Sequence, residues 1–281
     1  MELKDRVVVV TGGGSGIGEA FAKAAHREGA RHVVVADLDA SQAERVARLI
    51  DGTGVGLDVR DEVGIQKLVA DTENAQGPID LFMSNAGFVT TAGVEDTNER
   101  IQNMWEVHVM AQLFAARAVL PSMIARGEGY LLNTASAAGL LTQIGSLSYS
   151  ITKHAAVALA EWLAVSHHHQ GIRVSVLCPQ AVATNIVANS PDQRTRKILG
   201  ETNTLGGGVA GADGVKSADD VAQACIDAVR AEKFHVLPHI EVQTYMERKA
   251  TDVDRWLAGM RRFQTSLYPE GPLPGDAIAR L

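Results

Sequence analysis

Thr11-Gly12-Gly13-Gly14-Ser15-Gly16-Ile17-Gly18 is the stretch on which the fold turns. It follows residues 6–11, which hold four consecutive valines and read as a buried strand. It opens a helical pattern of Ile17, Ala20, Phe21, Ala24 and Ala25, closed by Gly29. Glycines between a strand and a helix let the backbone approach a pyrophosphate, and the helix N-terminus stabilises the negative charge. Gly12, Ser15, Gly16, Ile17 and Gly18 are therefore candidate nucleotide contacts. A second strand, 32–36, ends at Asp37, about twenty residues on, where an acid accepts hydrogen bonds from ribose hydroxyls and repels a 2′-phosphate. No Arg or Lys lies in the turn or just after Asp37, so NAD is expected over NADP. Leu38 adjoins Asp37. Asp58 with Val59 is expected near the adenine, and Asn85-Ala86-Gly87 along the floor at the end of strand four.

The alternation continues: helix 41–50, strand 54–57, helix 61–75 stopped by Gly77-Pro78, and strand 80–84. A long helix follows over 97–125, punctuated or bent at Pro121. Next come strand 130–134, helix 147–170 and strand 173–178 stopped by Pro179. A helix begins at Ser217, a short strand lies near 234–237, and a last helix spans 241–262. This pattern predicts an α/β, Rossmann-type doubly wound parallel sheet of about seven strands with helices on both faces. One domain covers 1–281, with a substrate lid near 186–216 and an irregular tail from 266.

Tyr149 and Lys153 stand four apart on one helix face. A cation beside a phenol favours the phenolate, which lowers the tyrosine pKa and provides a base near neutral pH. With Ser136 upstream, the chain resembles the short-chain dehydrogenase/reductase family. The resemblance rests on residues 11–18, Asp58, Asn85-Ala86-Gly87, Ser136, Tyr149-Ser150-Ile151-Thr152-Lys153, and Pro179 with Thr184, in the family's order and spacing. It implies Tyr149 as general acid/base, Lys153 on the nicotinamide ribose and Ser136 on the substrate oxygen. It also implies Val182 and Thr184 at the nicotinamide carboxamide, and pairing of the long helices into a homotetramer or homodimer.

Two departures stand out. His108, in Val107-His108-Val109, replaces an asparagine that in the family helps hold a proton-relay water. A histidine can keep such a relay as a further catalytic residue, or serve only as a satisfied polar group. Gln180, in Cys178-Pro179-Gln180, stands where the family has glycine; it narrows the pocket, hydrogen-bonds the substrate, or points away.

The composition constrains function further. The net charge of −7, with both signs mixed along 281 residues, argues against nucleic-acid and anionic-membrane surfaces. The longest apolar runs, such as 7–10 and 33–36, are strand length, so no membrane span is expected. The N-terminus has no signal-like pattern, and Cys178 and Cys225 sit in unrelated contexts; a cytoplasmic protein is expected. No metal is expected, since neighbouring residues in His167-His168-His169 diverge around a helix. Phe88, Val89, Leu140, Leu141, Ile144, Leu147, Ile186 and Val187 would line an apolar pocket with Thr142, Gln143 and Gln180, and no cation precedes Arg194. That favours a hydrophobic secondary alcohol or its ketone as the small-molecule partner. The rivals are an NADP(H)-dependent ketone reductase, epimerisation or dehydration on the same scaffold, and a non-catalytic nicotinamide-binding regulatory protein.

Overall fold

The computed structural model describes residues 1–190, 211 and 213–280. Most of the expected lid, including Arg194 and the glycines at 206–208, lies outside the described residues. Seven parallel strands among the described residues form one sheet in the order β3-β2-β1-β4-β5-β6-β7. They are β1 (Val7–Thr11), β2 (His32–Asp37), β3 (Thr53–Gly56), β4 (Leu81–Ser84), β5 (Gly129–Thr134), β6 (Ile172–Leu177) and β7 (His235–Val236). Side chains alternate across a strand, so the four valines of β1 divide between two cores. Val7 and Val9 join Ile65, Leu68, Val119, Ala156 and Leu163 on one face. Val8 and Val10 join Phe21, Ala24, Val46, Val221 and Ile226 on the other. Burial on both faces explains why this strand carries no polar alternation.

The first face is covered by α3 (Glu62–Gln76), α5 (Ala111–Arg126) and α7 (Leu147–His167), the second by α1 (Gly16–Arg27), α2 (Ala40–Leu49) and α8 (Ala218–Ala231). The strand order reverses at β1, which lies between β2 and β4. The crevice beyond the carboxyl ends of these strands is where ligands bind in such sheets.

The expected helix over 97–125 is three pieces: α4 (Asn98–Trp105), a π-turn (Glu106–Met110) and α5. Pro121 lies inside α5 without ending it. Pro121 and Arg117, whose carbonyl the ring deprives of its helical partner, are both exposed. Asn98–Arg126 is long and apolar enough to cross a bilayer, although its apolar residues form no long contiguous run. Half of its most apolar stretch is buried against the rest of the fold, as in a core helix.

The expected helix 241–262 is also divided, into α9 (Glu241–Thr251) and α10 (Val253–Leu267). Asp252 breaks it by accepting the Arg255 N–H at 2.9 Å, which caps the second helix. A short α6 (Ala138–Leu141) precedes α7. The tail is not wholly irregular, since Pro274–Arg280 forms 3₁₀ turns.

Candidate active site

A cavity of about 1370 Å³ opens at the carboxyl ends of β1, β4 and β5. Its nucleotide end holds the glycine turn. Gly12 has φ +62°, and a Cβ there would lie 2.7 Å from the Ala86 Cα. A Cβ on Gly18 would lie 2.2 Å from the Gly12 carbonyl oxygen. Asn85 fastens this turn: its Nδ2 donates to the Gly12 carbonyl (3.1 Å), and its Oδ1 accepts from Thr134 Oγ1 (3.2 Å). Ser15 stands at the N-cap of α1, yet its side chain makes no capping bond. Its hydroxyl and the first N–H groups of α1 thus remain for an anion. The turn fits a dinucleotide pyrophosphate.

Asp37 and Leu38 line the same end. Asp37 is already part of the scaffold, accepting from the Gly14 N–H (2.9 Å) and the Asp39 N–H (3.1 Å). Two cations outside the glycine turn are also here. Arg45 reaches the Gly14 carbonyl (2.9 Å), but its guanidinium is paired with Glu19 at 2.7 Å. Arg60 grips both oxygens of Asp58, the closest contact being 2.6 Å. That bond holds the Asp58 carboxyl below its ordinary pKa. Asp58, expected near the adenine, also anchors Arg60, and both line the cavity with Val59. The i,i+2 spacing of Asp58 and Arg60 is local, whereas Arg45 comes to the turn from α2.

At the chemical end, β5 delivers Ser136 and α7 delivers Tyr149 and Lys153, all lining the cavity and nearly buried. Ser136 Oγ accepts from the Ala138 N–H (3.1 Å) and donates to the Pro179 carbonyl (3.4 Å). It lines the cavity together with Tyr149. Lys153 Nζ donates to the Thr134 carbonyl (3.2 Å), so Thr134 links the lysine to Asn85 and the glycine turn.

The expected lowering of the tyrosine pKa is not what this arrangement gives. Burial pushes the Tyr149 pKa above its ordinary value, and the Ser136 hydroxyl only partly opposes it. Burial also brings Lys153 down to about 8. Desolvation penalises the charged form of each group.

His108 sits in the π-turn, fully buried. Nε2 accepts the Phe88 N–H at 3.2 Å, which places the ring proton on Nδ1, 3.0 Å from Thr152 Oγ1. Thr152 Oγ1 donates in turn to the Tyr149 carbonyl (3.3 Å). Burial, reinforced by Lys153, holds His108 well below its usual pKa, so the ring is neutral. Its edge packs on Tyr149 with centroids 5.6 Å apart. Both ring nitrogens are spent within the fold.

Val182 and Thr184 line the cavity, and a Cβ on Gly16 would meet Thr184 Cγ2 at 3.1 Å. Of the expected substrate walls, Phe88, Val89, Ile144, Ile186, Val187, Gln143 and Gln180 line the cavity; Leu140, Leu141, Leu147 and Thr142 do not. Leu140 and Leu141 face away, packing with Val242, Tyr245 and Trp256. In their place the chain's own tail contributes Tyr268, Leu273 and Pro274. The tail packs on Gly145, at φ +78°: a Cβ there would lie 3.4 Å from Tyr268 Oη and 3.8 Å from Pro274 Cγ, ordinary contact distances. The tail thus lines the cavity of its own chain.

Residues 6–195 match the family described as short chain dehydrogenase. The chain belongs to that family. This dehydrogenase is an oxidoreductase acting on CH–OH donors with a nicotinamide cofactor. It is 33% identical over 264 residues to 1-deoxy-11-beta-hydroxypentalenate dehydrogenase of Streptomyces exfoliatus, covering 91% of this chain and 90% of that protein. It is 32% identical over 210 residues to meso-2,3-butanediol dehydrogenase of Serratia marcescens, covering 73% and 82%. Among solved structures it resembles a short chain dehydrogenase/reductase from Burkholderia phymatum in complex with NAD. There the TM-score is 0.81 and the identity 27%, covering 90% of this chain and 96% of that one.

Proposed function

We propose that the protein uses NAD to interconvert a hydrophobic secondary alcohol and its ketone, with Tyr149 as general acid/base. The observation that carries this reading is the joint placement of Ser136, Tyr149 and Lys153 at one end of a cavity whose other end holds the glycine turn and Asp37. Bound NAD supplies the hydride acceptor; the protein supplies orientation and proton handling. Ser136 holds the substrate oxygen. Tyr149 takes the hydroxyl proton during oxidation and returns it during reduction. Lys153, fixed by Thr134, orients the nicotinamide ribose. His108 is a positioning residue that holds Phe88 and α7 in register beside Tyr149.

Preference for NAD follows from Asp37, whose carboxylate repels a 2′-phosphate, and from Arg45, which Glu19 already neutralises. Kinship with an enzyme named for a hydroxypentalenate and another named for butanediol agrees with alcohol oxidation. The apolar walls favour hydrophobic substrates. A homotetramer or homodimer in the cytoplasm is part of the same proposal.

The test is reduced-nicotinamide formation with NAD and with NADP across aryl, cyclic and aliphatic secondary alcohols and polyols. Turnover with NAD on the hydrophobic members supports the reading. Faster turnover of polyols overturns the substrate class, and preference for NADP overturns the cofactor.

A further inference from the structure

Gln180 is the residue that departs most sharply from a bare wall at the reacting end of the cavity. It follows Pro179, whose carbonyl accepts the Ser136 hydroxyl, so its backbone is one residue from the group that would hold the substrate oxygen. Gln180 lines the cavity. Its backbone N–H donates to Nδ1 of the fully buried His239 (3.2 Å). Its side-chain Nε2 donates to Asp213 Oδ2 (2.8 Å), and the other carboxylate oxygen of Asp213 accepts from the Tyr245 hydroxyl (2.9 Å). A carboxylate only accepts, so this bond fixes which end of the amide faces Asp213.

Asp213, Tyr245 and His239 do not line the cavity. The amide nitrogen therefore points out of it, and Oε1 is the polar atom left on the cavity side. Oε1 has no donor among the described residues. The result is an oriented acceptor on the residue that follows Pro179, whose carbonyl accepts the Ser136 hydroxyl, in a cavity that Gln180 and Ser136 both line. An acceptor that cannot rotate into a donor rejects a carbonyl or carboxylate and recognises a hydroxyl hydrogen.

We propose that Gln180 Oε1, oriented by Asp213 and Tyr245, is a specificity-determining acceptor for a second hydroxyl close to the reacting carbinol. The inference deepens the function proposed above and rests on it. The substrate class becomes an apolar skeleton bearing two neighbouring oxygen functions, a diol or the corresponding hydroxy-ketone.

The probes are 1-phenylethane-1,2-diol and 1-phenylethanol, which differ by that one hydroxyl. Binding to the NAD-loaded protein is measured by calorimetry and turnover is measured separately. The variants are Gln180→Met, which keeps length and removes the acceptor, and Asp213→Ala, which frees the amide to rotate. The native protein is expected to bind the diol about tenfold more tightly than the mono-alcohol. Gln180→Met should abolish that ratio while sparing the mono-alcohol, and Asp213→Ala should reduce it in part.

A ratio near one in the native protein, or a ratio that Gln180→Met leaves unchanged, overturns the inference. So does failure of either compound to bind. Weakened NAD binding by Gln180→Met with an unchanged ratio assigns the amide to the cofactor and also overturns it. A Gln180-dependent binding ratio without turnover of any alcohol would leave the inference standing and remove the dehydrogenase reading instead.

Discussion

Lys153 Nζ stands 5.5 Å from the centre of the Tyr149 ring, but its hydrogen bond goes to the Thr134 carbonyl. The cation is held beside the phenol by the sheet, not by the phenol itself. Tyr149→Phe removes the proton carrier without disturbing this arrangement. Turnover should fall by about a thousandfold or more, while calorimetry shows NAD binding little changed. Retained turnover would take Tyr149 out of the proposed chemistry.

The direction of the Tyr149 shift sets a pH dependence. Burial raises the pKa, so the phenol is protonated at neutral pH and is ready to donate a proton to a ketone. Oxidation needs the phenolate, whose fraction grows about tenfold per pH unit below the pKa. Alcohol oxidation should therefore climb between pH 6 and 8, while ketone reduction stays level. Paired initial-rate profiles in the two directions check this.

Lys153 predicts a stability effect of definite sign. Its folded pKa is about 8, against an ordinary value of 10.5, so the buried charge opposes folding below pH 8. As pH rises from 8 to 10.5, the unfolded chain keeps a proton that the folded chain has lost, and stability rises. Lys153→Met should stabilise the protein at pH 7 by up to about 3 kcal/mol, with the gain shrinking through that window. Urea unfolding of both proteins at pH 7 and pH 10 is the measurement, and a gain that does not depend on pH would contradict it.

The glycines divide into those the backbone needs and those it does not. Gly18→Ala forces a Cβ against the Gly12 carbonyl, a backbone atom that cannot swing aside, and should cost about 2 kcal/mol or more together with most NAD affinity. Gly259→Ala lies within α10, with only Arg262 Nη2 near at 3.9 Å, and should add about 0.5–1 kcal/mol. Thermal unfolding and NAD titration of the pair separate the two cases.

Because Tyr268 and Pro274 lie against Gly145, beside Gln143 and Ile144 of the expected substrate wall, removing residues 268–281 should leave NAD affinity unchanged. The KM for the preferred alcohol should rise about threefold or more as its apolar wall is lost. Steady-state kinetics with an NAD titration alongside would show whether the two constants separate.

Sequence made the site legible wherever chemistry is carried by local spacing. The glycine turn, Asn85, Ser136 and the Tyr149–Lys153 pair all converge on one cavity, because strand ends and helix starts fix where such residues go. Long-range effects were not legible. The i,i+4 geometry of Tyr149 and Lys153 gave their proximity but not their desolvation, which reverses the expected shift of the phenol. The π-turn around His108 has no simple periodicity, and the ring's partners, Phe88 and Thr152, are twenty and forty-four residues away. Asp252 looked like one polar residue in an amphipathic run; only its bond to Arg255 shows that it starts a new helix. The tail's prolines suggested irregularity, and nothing local told which surface it would meet.

The four valines of β1 have one more consequence. A strand apolar on every position has no in-and-out code, so sliding it along its neighbours would still bury valine on both faces. Its alignment has to come from its polar ends. At one end Asp80 Oδ2 accepts the Val7 N–H (2.8 Å), with Arg6 and Arg126 both paired to the same carboxylate. At the other, Thr11 Oγ1 accepts the Asn85 N–H (3.1 Å). Thr11 and Asn85 thus act as a ruler for assembly as well as a floor for the nucleotide, so errors in threading this strand and errors in building the binding turn are the same errors.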